Sequence, residues 1–185
     1  MQNSKSTFHS WRSHVGFTLI ELLVVIAIIA VLGAGVITAV NPINQFQKTN
    51  DAKRKSDISQ IQKALEQYYQ DTNSYPCSST QFRIIGLDGS EKAWGTPFSP
   101  YLTSLPSDPS STRRYIYYAL CPSPQSYYLY ASLEQGGNDP QACFSSGAVC
   151  TGVSSVPGLS ATTGCSLDGS AKVCNYGATS PNISR

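Results

Sequence analysis

Histidine is absent beyond residue 14 of this 185-residue chain, whose two histidines are His9 and His14. With imidazole missing from the rest, the commonest general base, the Ser/His and Cys/His nucleophile systems and the commonest zinc ligand are missing too. No glycine-rich phosphate loop is present. The six cysteines, Cys77, Cys121, Cys143, Cys150, Cys165 and Cys174, include no CxxC pair and make a poor zinc site beside a good disulfide set. Asp88-Gly89-Ser90 and Asp168-Gly169-Ser170 could suggest an aspartyl dyad, but Asp-Gly is first of all a tight-turn dipeptide. No catalytic residue, metal ligand or cofactor is expected, which leaves structural and binding roles.

Acidic residues are missing from residues 1–16, where Lys5, His9, Arg12 and His14 lie. That segment also lacks an apolar core of its own, unlike a secretory signal peptide cut after its hydrophobic region. Two of the 13 Lys and Arg fall there, so residues 17–185 carry eleven charges of each sign and no formal net charge. Such neutrality argues against a dedicated nucleic-acid surface and leaves room for no more than a local basic strip.

What is present, first of all, is an apolar run of 24 residues, 17–40, whose one charge is Glu21. A carboxylate costs a few kcal/mol in hydrocarbon, so an acid one turn into a spanning helix marks a functional contact unless it reaches water at the membrane face. A cut between Gly16 and Phe17 would create an α-amino cation near Glu21. Within one helix those charges are loosely opposed, whereas a neighbouring subunit offset along its axis could set its amine on the carboxylate.

Gly16, Phe17, Thr18, Glu21 and the Leu/Val/Ile/Ala run to Val40 resemble the prepilin signature of type IV pilins and of the pseudopilins of type II secretion. The resemblance implies cleavage after Gly16 by a prepilin peptidase, N-methylation of Phe17 and pairing of Glu21 with Phe17 of another subunit. Methylation keeps the charge on the amine. The implied partners are further copies of the chain in a homopolymeric filament, other pilin-like subunits, an inner-membrane assembly platform, and the lipid bilayer before assembly. The calcium-binding acidic loop of major pseudopilins has no counterpart, because Asp139 and Asp168 are isolated, and no metal site is carried over.

Orientation is divided by the positive-inside rule: Lys5 and Arg12 precede the run, while Lys48, Lys53, Arg54 and Lys55 follow it. The cysteines decide it. All six follow the run in polar, Gly/Ser-rich sequence, as a disulfide set in an oxidising compartment would. The expectation is a single pass through the cytoplasmic membrane, N-terminus inside and head outside, then a place in an extracellular pilus or periplasmic pseudopilus.

The fold class expected is α+β, with a leader at 1–16, a membrane and filament-core helix at 17–40, an amphipathic helix at 41–73, a β head at 74–135 and a disulfide-stapled tail at 136–185. Asn41-Pro42 should weaken the helix locally. Helical spacing resumes with Ile58, Ile61, Leu65 and Tyr68, and an unbroken rod over 17–73 would be on the order of 85 Å long. Lys53-Arg54-Lys55 reads as a solvated helix face near lipid headgroups. Residues 71–76 stop the helix, and residues 114–120 and 126–134 form an antiparallel hairpin about the turn 121–125 that wraps the apolar stripe. By the resemblance, residues 94–97 and 101–109 are the loop before the sheet.

Tyr115, Tyr117, Tyr118, Tyr127, Tyr128 and Tyr130 occupy both alternation phases of that hairpin, so some must face outward; packing is their first role and a stacking platform for a ligand the second. The tail has eight Gly, nine Ser and four charges in 50 residues, too little apolar sequence to sustain a core. Short strands are expected at 148–153 and 171–176, and order is expected from disulfides worth about 2–4 kcal/mol each; six cysteines allow about 15 pairings, which the sequence leaves open, and the set chosen among them is Cys143–Cys150, Cys165–Cys174 and Cys77–Cys121. The function expected is a structural subunit of a type IV pilus or pilus-like filament, favoured over a secretion pseudopilin because the Cys-rich tail suits an exposed surface. The alternative of another class is a membrane-tethered binding module or minor tip adhesin.

Overall fold

The computed structural model describes residues 16–181, and for residues 35–40 the backbone alone. The expected leader before Gly16 lies outside the described residues. The chain divides into two compact units, Met1–Pro42 and Ile43–Arg185.

The first unit holds α1, Leu19–Val40, and Thr18 caps it in extended conformation. At the other end Asn41 turns left-handed, with φ 45°, immediately before Pro42. The expected rod is thus divided at Asn41 rather than loosened. Proline supplies no backbone donor and crowds the residue before it out of helical geometry, and asparagine accepts a left-handed conformation more readily than most. Among the described residues no helix is long and apolar enough to cross a membrane. The span expected at 17–40 is not met there.

The second unit is built on α2, Pro42–Thr72. It stops at a left-handed Asn73, φ 55°, whose N–H bonds the Tyr69 carbonyl at 2.9 Å, while the Thr72 hydroxyl donates to the Tyr68 carbonyl. A small antiparallel hairpin follows, β1 at Ile84–Ile85 and β2 at Glu91–Lys92. The main sheet has the order β3-β4-β5, all antiparallel: Ile116–Tyr118, Tyr128–Ala131 and Tyr176–Thr179. Tyr117 faces Leu129 across the first pair, and Leu129 faces Ala178 across the second.

Side chains alternate across this sheet and bury on both faces. Tyr115, Tyr117, Leu129 and Ala131 join Ile58, Ile61, Ala64, Leu65 and Tyr68 of α2 in one core. Ile116 and Tyr130 point the other way, into a second core with Val153, Val156 and the cysteines 150, 165 and 174. The tail therefore does contribute a core, contrary to expectation, and it is the cover for the tyrosine phase expected to face outward. Tyr130 is buried there, with Tyr118 and Tyr128 half-buried beside it.

Close approach explains the glycine at 152. A Cβ on Gly152 would lie 2.3 Å from the Tyr130 hydroxyl and 2.7 Å from the Tyr128 ring. Residues 148–153 form no strand: Thr151–Ser155 is a 3-10 turn laid over the tyrosines. The other expected strand moves from 171–176 to Tyr176–Thr179, where β4 offers a partner. Disulfides join Cys77 to Cys121, Cys143 to Cys150 and Cys165 to Cys174. Main-chain bonds Cys150 N–H to Cys174 O, 2.9 Å, and Cys143 N–H to Asn175 O, 2.8 Å, stitch the two tail loops together.

Candidate functional site

Every described residue from Gly16 to Ala34 is exposed, in a helix that is apolar around its whole circumference. Phe17 and Leu19 are exposed to 85% and 82%, and Val25, the least exposed of the large apolar side chains described in the helix, still to 47%. A helix apolar all round is stable where something covers it, and contiguous apolar surface of this extent marks a contact with protein or lipid.

Glu21 is the one polar exception, and a local rule positions it. Thr18 and Glu21 form a capping box: the Glu21 N–H donates to Thr18 Oγ1 at 3.3 Å, and Thr18 N–H and Oγ1–H both donate to Glu21 Oε2, at 3.0 and 2.9 Å. Gly16 and Phe17 lie just ahead of the helix. Both bonds from Thr18 to the carboxylate fall on Oε2. The Thr-x-x-Glu spacing is a legible N-terminus signal, and it gives Glu21 a role inside its own protomer besides any role between subunits.

Arg54 departs most from its expectation. It is fully buried, not a solvated lipid-facing group. Its Nε and Nη2 donate to both oxygens of Asp108, at 2.8 and 2.9 Å, and Nη1 donates to Asp51 Oδ1 at 2.8 Å and Glu134 Oε1 at 2.9 Å. Asp51 in turn accepts the backbone N–H groups of Glu134 and Gln135, both at 2.8 Å. Burial pulls against the Arg54 charge, but bonds to Asp108, Glu134 and Asp51 outweigh it and the guanidinium is held more firmly protonated. One turn on, Asp57 accepts the buried Tyr115 hydroxyl at 2.7 Å. The physical reason is periodicity: residues 54, 58, 61, 65 and 68 lie on one helical face, so Arg54 continues the buried stripe. Its neighbours do stay nearer solvent, Lys53 beside Asp57 at 3.7 Å and Lys55 paired with Asp139.

The remaining candidates resolve locally. Lys92 and Ser90 hold Asp88 down to about 2, and Ser170 with Ser166 hold Asp168 down to about 2, so each stays ionised in its own turn and shares no proton. Among the described residues no group of three or more His, Cys, Asp or Glu is placed to hold a metal ion.

A long helix broken after an exposed apolar segment, a second helix packed on a three-stranded antiparallel sheet, and a capped glutamate at the head of the apolar segment define a pilin-like architecture. Residues 41–143 match the family described as Type II secretion system (T2SS), protein G, and residues 13–37 match the prokaryotic N-terminal methylation motif. The chain belongs to the type II secretion system protein G family. It is 35% identical over 141 residues to the type II secretion system core protein G of Pseudomonas aeruginosa, covering 71% of this chain and 93% of that relative. The corresponding protein of Pectobacterium carotovorum is 32% identical over 99 residues, 52% of this chain and 62% of the relative's length. A type IV wide pilus major component of Thermus thermophilus is 40% identical over 76 residues, 41% of this chain and 56% of that protein. No solved structure matches.

Proposed function

We propose that the chain is a structural subunit of a pilus-like filament, cut after Gly16, methylated at Phe17 and assembled through α1. The observation that carries this reading is the exposed apolar surface of α1 beside a second unit that satisfies its own core. The first unit needs a cover that α2 and the sheet do not require. Lipid supplies it before assembly, in a single pass with the head outside, and the α1 helices of other subunits supply it afterwards.

Glu21 sets axial register in this scheme by accepting the Phe17 amine of a neighbour. Relatives on both branches, secretion core protein G and a type IV pilus component, support the shared filament role. The family match over 41–143 favours the secretion branch, and the Cys-rich tail favours an exposed pilus surface. The test is Glu21→Ala in the native host: intact mass and N-terminal sequencing should show a processed chain starting at Phe17, held in the membrane fraction, with no filaments by electron microscopy. Normal filaments from that variant would remove the register role.

A further inference from the structure

The second unit carries a cleft of about 250 Å³ lined by residues 81 and 83, residues 93 and 94, the segment 107–114 and Leu167. Three arginines, Arg83, Arg113 and Arg114, line it together with the half-buried Trp94. Asp108 also reaches the lining, but its oxygens accept from Arg54 and from the Ser110 N–H, 2.8 Å. Arg83 is paired with Glu91 at 2.7 Å. The other two arginines are less well served. Arg113 Nε is buried without a hydrogen-bond partner among the described residues, and its nearest acid, Glu134, is 4.0 Å from Nη1 and already bound to Arg54. Arg114 spends Nε on the Gly164 carbonyl, 3.1 Å, and lies over the Phe82 ring at 5.9 Å.

Like charges crowd here: burial and then Arg54 work against the Arg113 cation, with Glu134, Asp108 and Asp51 in its favour, whereas burial and then Arg83 work against Arg114. An arriving anion relieves the crowding of Arg83 and Arg114. The planar fork of arginine suits an oxoanion with two oxygens to present.

We propose that this cleft is a binding site for a small oxoanionic group, a carboxylate or a phosphate, held by the terminal N–H groups of Arg113 and Arg114 beside Trp94. The inference stands on the second unit alone and is independent of filament assembly.

Trp94 is a built-in reporter, since the chain's other tryptophan is Trp11. The full-length Trp11→Phe chain, held in detergent, is titrated with inorganic phosphate and separately with succinate while its tryptophan emission is followed. Sodium chloride at matched ionic strength is the control. The expected result is a saturable change with at least one oxoanion at or below millimolar concentration, and none with chloride. Phosphate alone, or succinate alone, would assign which oxoanion the site takes. Arg114→Gln should weaken binding by roughly tenfold or more, the loss expected for a charged hydrogen bond, with the far-ultraviolet spectrum and melting temperature unchanged. Arg113→Gln should do the same, and if it fails to fold beside Arg54, Arg114→Gln alone decides. Emission that responds equally to chloride, that fails to saturate with either oxoanion, or that is untouched in a folded Arg114→Gln chain overturns the proposal.

Discussion

The helices α1 and α2 are near neighbours in sequence and opposites in chemistry. α1 is apolar but for Glu21 and wholly exposed over its described side chains, whereas α2 is mostly polar and buries one stripe against its own sheet. Hydrophobicity alone would have put α1 in the core. Instead the core is built from α2, with tyrosines and a buried ion cluster, and α1 is left with an apolar face on every side. A stripe can be satisfied by one sheet, but a full circumference needs several neighbours, which one small domain does not contain. The contrast separates the part that folds for the protomer from the part that waits for an environment.

That division breaks most visibly if the α2 side is attacked at Arg54. Arg54→Met should cost about 3–5 kcal/mol in denaturant unfolding of the detergent-held chain, because Asp108, Asp51 and Glu134 keep their buried charges without the cation. The same cluster sets an acid limit. Burial favours neutral Glu134, but hydrogen bonding to Arg54 and its charge prevail and hold the carboxyl below its ordinary 4.5. A lowered folded pKa gives stability that is fully present above the unfolded value and lost as pH falls through the folded one. Stability should therefore decline below about pH 4.5, and Arg54→Met should flatten that decline. An Arg54→Met chain as stable as wild type would return Arg54 to the helix surface.

A matched pair of truncations sharpens the comparison. Leu65→Ala on α2 opens a cavity and should cost about 2–5 kcal/mol in the monomer. Ile28→Ala on α1, the same kind of deletion from an exposed position, should leave unfolding of the second unit unchanged and weaken filaments in a shear assay. Equal monomer effects would mean that α1 packs within its own chain. Within the second unit, Cys165→Ser with Cys174→Ser should cost about 2–4 kcal/mol and loosen the outer face of the sheet, read as faster hydrogen exchange at Ile116 and Tyr130.

Much of this was readable from residues. Ile58, Ile61, Leu65 and Tyr68 mark the buried face of α2, and the hairpin around 121–125 pairs as its alternating apolar residues suggest. What escaped was long-range. Nothing in the Gly/Ser-rich tail announces a core, because Val153 and Val156 are apolar by themselves and become a core against the rear face of a sheet made elsewhere. β5 likewise exists because β4 has an edge to offer. Arg54 was half legible: its place four residues before Ile58 put it on the stripe, but its acids at 108 and 134 come from segments that no local pattern joins to α2. Charge runs such as Lys53-Arg54-Lys55 mislead when read as a block, because successive helical residues point about 100° apart and the middle one can be buried while its neighbours are not.

The smallest expected effect is the one that divides the two roles of Glu21. As a capping-box residue Glu21 serves its own helix, and Thr18→Ala removes that function from the other side, at a cost of about 1 kcal/mol to the first turn of α1. As a register residue it serves the neighbour, and Thr18→Ala leaves the carboxylate in place with Oε2 released to accept a cation. Capping alone therefore predicts that Thr18→Ala and Glu21→Ala look alike, each slightly less helical by circular dichroism in detergent and each assembling. Register predicts a split, in which Thr18→Ala still forms filaments and Glu21→Ala does not. Helicity lost to the same small extent in both variants, with assembly lost in one, would show that the exposed end of α1 carries a contact its own protomer cannot supply.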